Sequence, residues 1–309
     1  MAASYVESLS NPRDSLPNVY TNVKAREIDF VSRFTNNWEA LREILGIMNP
    51  VRKTPGTSLV SYTASVTLED GDVDPGEVIP YSKATVVQYT KADLDLEKYA
   101  KAVPIEDVNK YGAVVAVQKT DEAFLNELQG KVLDGFYTFL QDDTAATTGT
   151  ETTFQMAVAI AIGTVKDKFK KLRKNASDIA LFVNTMDAYR YLGAADVTVQ
   201  TAFGIDYIQN FMGARTVILS SEITEGTVIA VPADNIVLYY VDPGDGQFAQ
   251  LGLDYTVQGE TNLIGFHANG NYTTAVGESF ALMGLTLWAE YADAIAIITV
   301  DPDYVPSEP

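Results

Sequence analysis

Apolar and polar positions recur with two different periods in the first half of the chain. Phe30, Phe34, Trp38, Leu41 and Leu45 lie three and four apart, which predicts a helix over 29–46 with Gly46 as its stop and a loop opening at Asn49-Pro50. Upstream, residues 1–28 are polar and irregular, with Pro12 and Pro17 as breakers, and read as an extended arm. The period then falls to two. Val60, Tyr62, Ala64, Val66 and Leu68 share one parity, and Ile79, Tyr81, Thr85, Val87 and Tyr89 share one on a return strand. Segments 57–68 and 78–90 therefore read as the arms of a hairpin with one apolar face that must be covered. The turn between them carries Glu69, Asp70, Asp72, Asp74 and Glu77, too much charge for any core.

Arms of about 11 residues reach roughly 36 Å, whereas a compact chain of this length has a radius of gyration of about 19 Å. A lone two-stranded hairpin is marginal in water. It must lie on its own body or on a neighbouring copy, and the neighbour is expected.

Beyond the hairpin, 92–102 shows no clear period, and Pro104-Ile105-Glu106-Asp107 reads as a helix start. A long amphipathic helix is predicted over 113–141. Its stripe is Val117, Phe124, Leu128, Val132, Phe136 and Leu140, widened by Leu125, Leu133 and Phe139. Gly130 and Gly135 each cost this helix about 1 kcal/mol relative to Ala and mark bends or close contacts. The Thr-, Ala- and Gly-rich stretch 142–153 reads as a domain boundary. A second helix follows over 153–175, a buried strand over 179–183, and a short helix over 185–192 capped by Thr185 and ended by Gly193. Strands are predicted at 215–219, 227–231, 236–240, 253–258, 279–289 and 294–300, and Pro302 and Pro306 close the chain. The class is α+β, without internal repeats.

With 309 residues and 47% apolar content the chain can bury one large or two medium cores. No cysteine is present, so disulfides and thiolate chemistry are excluded. Residues 1–12 lack the apolar run of a secretory signal. The longest apolar run, around 156–162, falls far short of a bilayer span, so no membrane role is expected. The net charge of −19 is unevenly spread: 175–309 holds 17 acidic side chains against Arg190 and Arg215. Such a surface repels phosphate, so a sequence-specific grip on nucleic acid is not expected of it, although a repulsive wall suits a container.

Candidate chemistry is sparse. His267 is the only histidine, and its setting Gly265-Phe-His-Ala-Asn269 has no nucleophile elbow. One His and no Cys argue against zinc. The acidic turn resembles a calcium loop until Pro75 and Tyr81 fall where Gly and Glu are required. Val241-Asp-Pro-Gly-Asp-Gly246 matches no phosphate loop. Lys166, Lys168, Lys170, Lys171, Arg173 and Lys174 form the one basic cluster, 6 of the 22 basic groups within nine residues. It reads as a solvated helix face or as a partner for acidic neighbours. No catalytic residue, cofactor or metal site is expected.

In this order, a polar arm, a helix, an extended charged hairpin, a spine-like helix, a mixed α/β region and a returning C-terminal strand, the chain resembles the major capsid proteins of tailed phages with the Hong Kong 97-like fold. The local likeness is carried by Ile179-Ala-Leu-Phe-Val-Asn-Thr-Met-Asp-Ala-Tyr-Arg-Tyr-Leu192, and by Gly213-Ala-Arg-Thr-Val-Ile-Leu-Ser220 followed by Gly226-Thr-Val-Ile-Ala-Val-Pro232. The resemblance implies an N-terminal arm and helix at 1–56 and an extended loop at 57–91 lying over an adjacent subunit. It implies a peripheral domain with the spine helix at 92–148 and 270–309, and an axial domain at 149–269. It further implies a homo-oligomeric icosahedral shell of hexamers and pentamers in a virion, assembled in the host cytoplasm and enclosing double-stranded DNA without sequence-specific binding. With no room before the arm for a built-in scaffolding segment, a separate scaffolding protein is implied, together with a portal. Glu69, Asp70, Asp72, Asp74, Glu77, Lys83 and the six residues of the basic cluster are the inter-subunit contact candidates. An encapsulin-type nanocompartment, a phage tail-tube protein and a hydrolase with paired carboxylates are the rival readings.

Overall fold

The computed structural model describes residues 17–47, 50–70, 72, 78–79, 81–144, 146–176, 178–193, 199–202, 205–245, 248, 250–257 and 262–301. The expected arm before residue 17 and the closing prolines lie outside the described residues.

Helix α1 runs over Pro17–Leu45 and starts twelve residues earlier than its periodicity predicts. Pro17 opens the helix where a breaker was expected, because a proline at the first helical position gives up an N–H that has no partner anyway. Phe30, Val31, Phe34, Trp38, Leu41 and Leu45 are buried along one stripe. The helix closes on Gly46 at φ +70°, with Gly46 N–H donating to Glu43 and Ile47 N–H to Arg42, a left-handed cap that glycine takes without strain.

Strand β1 (Val51–Lys53) follows, then the hairpin β2 (Ser58–Thr67) and β3 (Lys83–Asp93), β4 (Glu97–Pro104) and α2 (Ile105–Tyr111). The spine starts as one π-helical turn, Val114–Lys119, and continues as α3 (Thr120–Leu140). A Cβ at Gly130 or Gly135 would meet nothing within 4 Å, so neither marks a close contact. The expected boundary at 142–153 instead contributes a strand, β5 (Thr147–Glu151), as its threonines favour. Helix α4 (Phe154–Lys171) is capped by Thr153, whose hydroxyl accepts from Met156 N–H. Strand β6 (Ile179–Asn184) leads into α5 (Thr185–Leu192). The cap of α5 is Asn184, not Thr185: its side chain accepts from Met186 N–H at 2.8 Å.

The remaining strands are β7 (Gln200–Ala202), β8 (Ile205–Phe211), β9 (Ala214–Ser220), β10 (Thr227–Pro232), β11 (Ile236–Val241), β12 (Ile264–Asn271), β13 (Val276–Met283), β14 (Leu285–Ala289) and β15 (Ala296–Val300). The run predicted as one strand at 279–289 breaks at Gly284 into β13 and β14. The strand predicted at 253–258 is, among the described residues, a single bridge from Thr256 to Phe266.

A seven-stranded sheet in the order β5-β15-β10-β6-β9-β8-β7 forms the centre. Both faces are covered, and β6 shows how. Ala180 and Phe182 pack with α1 and the α3 stripe of Leu125, Leu128, Val132, Phe136 and Leu140, while Ile179, Leu181 and Val183 pack under α4. Burial on both faces is why β6 reads as an unbroken apolar run. Two three-stranded sheets, β12-β13-β4 and β1-β11-β14, complete the body, and β2-β3 stands as a sheet of its own. Strand partnerships cross the expected domain boundary near 270. Strand β12 begins at Ile264 and joins β13, while β15 lies in the seven-stranded sheet.

Candidate assembly surfaces

The hairpin is rooted by Leu59 and Leu94, which are buried with Val237, Tyr239, Val241 and Trp288. Beyond that root its described apolar side chains face solvent: Tyr62, Val66 and Val86 are 59–66% exposed, and Leu68, Val78, Ile79 and Tyr81 more so. Strands β2 and β3 pair with each other and with no other described strand. A bulge between Ser61 and Tyr62 shifts the register, so that Tyr62 faces Gln88, Ala64 faces Val86 and Val66 faces Ala84. Val87 lies opposite Thr63, on the other face from Tyr62. The bulge and the pairing, not the parity count, set the sides: Tyr62, Val66 and Val86 share one face, whereas Thr85 and Val87, grouped with them by parity, pair with Ser65 and Thr63.

At the hairpin tip, Glu69, Asp70 and Asp72 are exposed, and Asp70 accepts from the Asp72 N–H at 3.0 Å. Asp74 and Glu77 lie outside the described residues. Lys83 is exposed at the start of β3. The basic cluster occupies the last turn of α4 and the residues after it. Three of its members are tied locally: Lys168 to Asp293 at 3.1 Å, Lys171 to Asp167 at 2.6 Å, and Lys174 to the Tyr291 hydroxyl at 2.5 Å. Lys166 and Lys170 lie one turn apart on α4, Arg173 lies beyond its end at φ +53°, and all three are exposed. Among the described residues no ion pair within the chain joins the hairpin acids to this cluster.

Sequence reasoning missed the polar anchors of α1. Arg26 donates to both carboxylate oxygens of the buried Asp121 and to Ser279, and Lys101 donates to the same carboxylate. This joins α1, the start of α3, β4 and β13 at one point. Burial pushes the Asp121 carboxyl up, but hydrogen bonds from Arg26 and Lys101 outweigh it and hold the group below its ordinary range. Burial lowers the Lys101 ammonium, and the Asp121 hydrogen bond offsets only part of that. At the next position of α1, the buried Glu27 accepts from the Thr256 hydroxyl at 2.5 Å and from Ala268 N–H at 2.7 Å. His267 Nδ1, in β12, lies 3.5 Å from the Glu27 oxygen that accepts from Ala268 N–H. The available signal was position: two charged residues, Arg26 and Glu27, just before an apolar helical stripe.

Among the described residues no group of three or more His, Cys, Asp or Glu is placed to hold a metal ion. No described helix is long and apolar enough to cross a membrane.

No protein-family model matches the sequence, and no curated protein matches it. Solved structures do. The capsid asymmetric unit of cyanophage A-1(L) aligns over 85% of this chain and 93% of its own, with a TM-score of 0.55 and 11% identity. The fold is the Hong Kong 97-like capsid fold. The capsid structure of cyanophage P-SCSP1u shares it over 84% of this chain and 87% of its own, at a TM-score of 0.50 and 10% identity. A holo-SrpI encapsulin complex from Synechococcus elongatus PCC 7942 aligns over 87% and 90%, at a TM-score of 0.46 and 11% identity. The Hong Kong 97-like fold accounts for the combination seen here: a long helix across a mixed body, and a two-stranded arm standing away from it.

Proposed function

We propose that this chain is the major capsid protein of a tailed bacteriophage. It would assemble into an icosahedral shell of hexamers and pentamers around double-stranded DNA. One observation carries the reading: a hairpin whose described apolar side chains Tyr62, Val66 and Val86 are exposed, on a body with the Hong Kong 97-like fold. Such an arm is marginal alone, and a neighbouring copy supplies the missing cover. Burying each of Tyr62, Val66 and Val86 contributes about 1.5–3 kcal/mol before association costs are taken off. Many such contacts per subunit then hold a closed shell by multivalency.

On this reading 57–91 is the loop laid over the neighbour, 92–148 and 270–309 the periphery, and 149–269 the part that meets around the symmetry axes. The shell encloses DNA without a sequence-specific grip, a separate scaffold and a portal act during assembly in the host cytoplasm, and no catalysis is involved. Two cyanophage capsid structures with this fold support the assignment.

Negative-stain microscopy of the full chain, expressed alone and with its neighbouring genes, tests it. Closed shells of uniform diameter containing DNA in the infected host are expected. Small shells around a protein cargo would move the chain to the encapsulin class, and open tubes to the tail-tube class. Replacing 62–88 by a two-residue turn should leave a folded subunit that forms no shells; closed shells from that variant would sink the hairpin argument.

A further inference from the structure

A second surface of the body is as unfinished as the hairpin. Helix α2 has seven residues, no side-chain cap and no buried residue. Helices this short are marginal in water, and in proteins they are held by packing an apolar face. Here the apolar side chains point outward instead. Ile105 is 58% exposed and Tyr111 slightly less, and Val114 and Val115 in the π-helical turn beyond are exposed as well, with only Ala116 of that turn buried. The β12–β13 turn lies at the same end of its sheet: Ile105 N–H donates to Ala275, and Tyr272 in that turn is 97% exposed. Five large apolar side chains at one end of the β12-β13-β4 sheet therefore lack cover from the described residues of their own chain.

The charges around the patch say what fits it. Helix α2 carries Glu106 and Asp107 in its first turn and Lys110 in its last, so one end is acidic and the other basic. The Lys110 ammonium sits over the Tyr111 ring, 4.9 Å from its centre, beside the apolar residues. A surface with both signs flanking an apolar centre complements itself when a second copy is turned against it.

We propose that α2 and the π-helical turn form a contact between copies of this chain, the patch of one subunit covering the same patch of its neighbour, with Lys110 of each facing Glu106 and Asp107 of the other. The contact is separate from the hairpin but rests on the shell-forming reading. It gives the short helix the packing that the described residues of its own chain do not provide.

The full chain and variants are compared by sedimentation and negative stain for the fraction in shells, with circular dichroism as the folding control. Ile105→Asp with Val114→Asp places two charges in the patch on exposed positions that the fold does not need. Shell yield should fall at least about tenfold with the spectrum unchanged. Charge exchange then tests the pairing. K110E alone and E106K/D107K alone should each lower the yield, and the triple exchange should restore it, since only a like-to-like contact regains complementarity that way. Normal shells from the Ile105/Val114 variant, or no recovery in the triple exchange, overturn the proposal. A wild-type chain that forms no shells overturns the capsid reading and this contact with it, whereas wild-type and Ile105/Val114 shells together overturn the contact alone.

Discussion

Arg26 grips both oxygens of Asp121, at 2.6 and 2.7 Å, across 95 residues of intervening chain. Removing one member of such a buried pair strands the other charges. Asp121→Ala should therefore cost roughly 3–5 kcal/mol, read as a lower midpoint in denaturant unfolding. The effect has a pH signature. The Asp121 carboxyl is held below its ordinary value of 3.8, so its stabilising contribution is complete above that value and is lost as the pH falls through the lower folded one. Unfolding midpoints followed from about pH 6 to about pH 2 should drop more steeply in the wild type than in Asp121→Asn. Parallel curves would remove Asp121 from the acid response.

Glu27 sets a second anchor on the same helix. Glu27→Leu leaves the Thr256 hydroxyl and the Ala268 N–H without their acceptor, at about 1–3 kcal/mol for each group left unsatisfied. Hydrogen exchange along the first half of α1 should speed up while α4 keeps its protection.

The end of α1 depends on a bare backbone. Gly46 sits at φ +70°, and a Cβ there would lie 2.9 Å from the Arg215 guanidinium. Gly46→Ala should cost more than about 1 kcal/mol. Adding Arg215→Ala should recover only the part due to crowding, since the left-handed backbone remains; full recovery would show that φ contributes nothing.

The hairpin surface should behave in the opposite way. Tyr62→Ser, Val66→Ser and Val86→Ser alter exposed positions, so the thermal transition of the unassembled subunit should stay within about 0.5 kcal/mol of wild type for each change. Shell yield is the readout that should fall. A loss of subunit stability would mean that the hairpin packs on its own body.

How much of this was legible in the sequence varies by element, for physical reasons. The α3 stripe and the β6 run could be read because each buries a continuous apolar face, and burial leaves a period. The first twelve residues of α1 could not: Arg26 and Glu27 fix that end by hydrogen bonds to Asp121, Thr256 and Ala268, and polar anchors leave no period. The hairpin was visible as alternation, but its sides were misassigned, since one bulge after Ser61 moves every later partner. Strand β12 was hidden by its glycines. At Gly265 a Cβ would lie 2.9 Å from both Pro243 and Tyr255, so the residue that looks like a breaker is the one that lets the strand fit. Of the contact candidates, Lys168, Lys171 and Lys174 were visible as a cluster, but their local partners Asp293, Asp167 and Tyr291 were not, because two of the three are more than a hundred residues away.

Strand β13 lies between β4 and β12, and β15 between β5 and β10, so in both sheets a late stretch of sequence is inserted between earlier ones. Until a ribosome has made residues 276–283, β4 lacks its one sheet neighbour among the described strands, and the platform under α2 does not exist. Nascent subunits on one message are crowded together, the setting in which exposed arms find wrong partners. The strand order acts as a timer: the platform under α2 is complete only once β13 is made, so on the reading proposed above the α2 contact waits for a stretch of sequence that follows it.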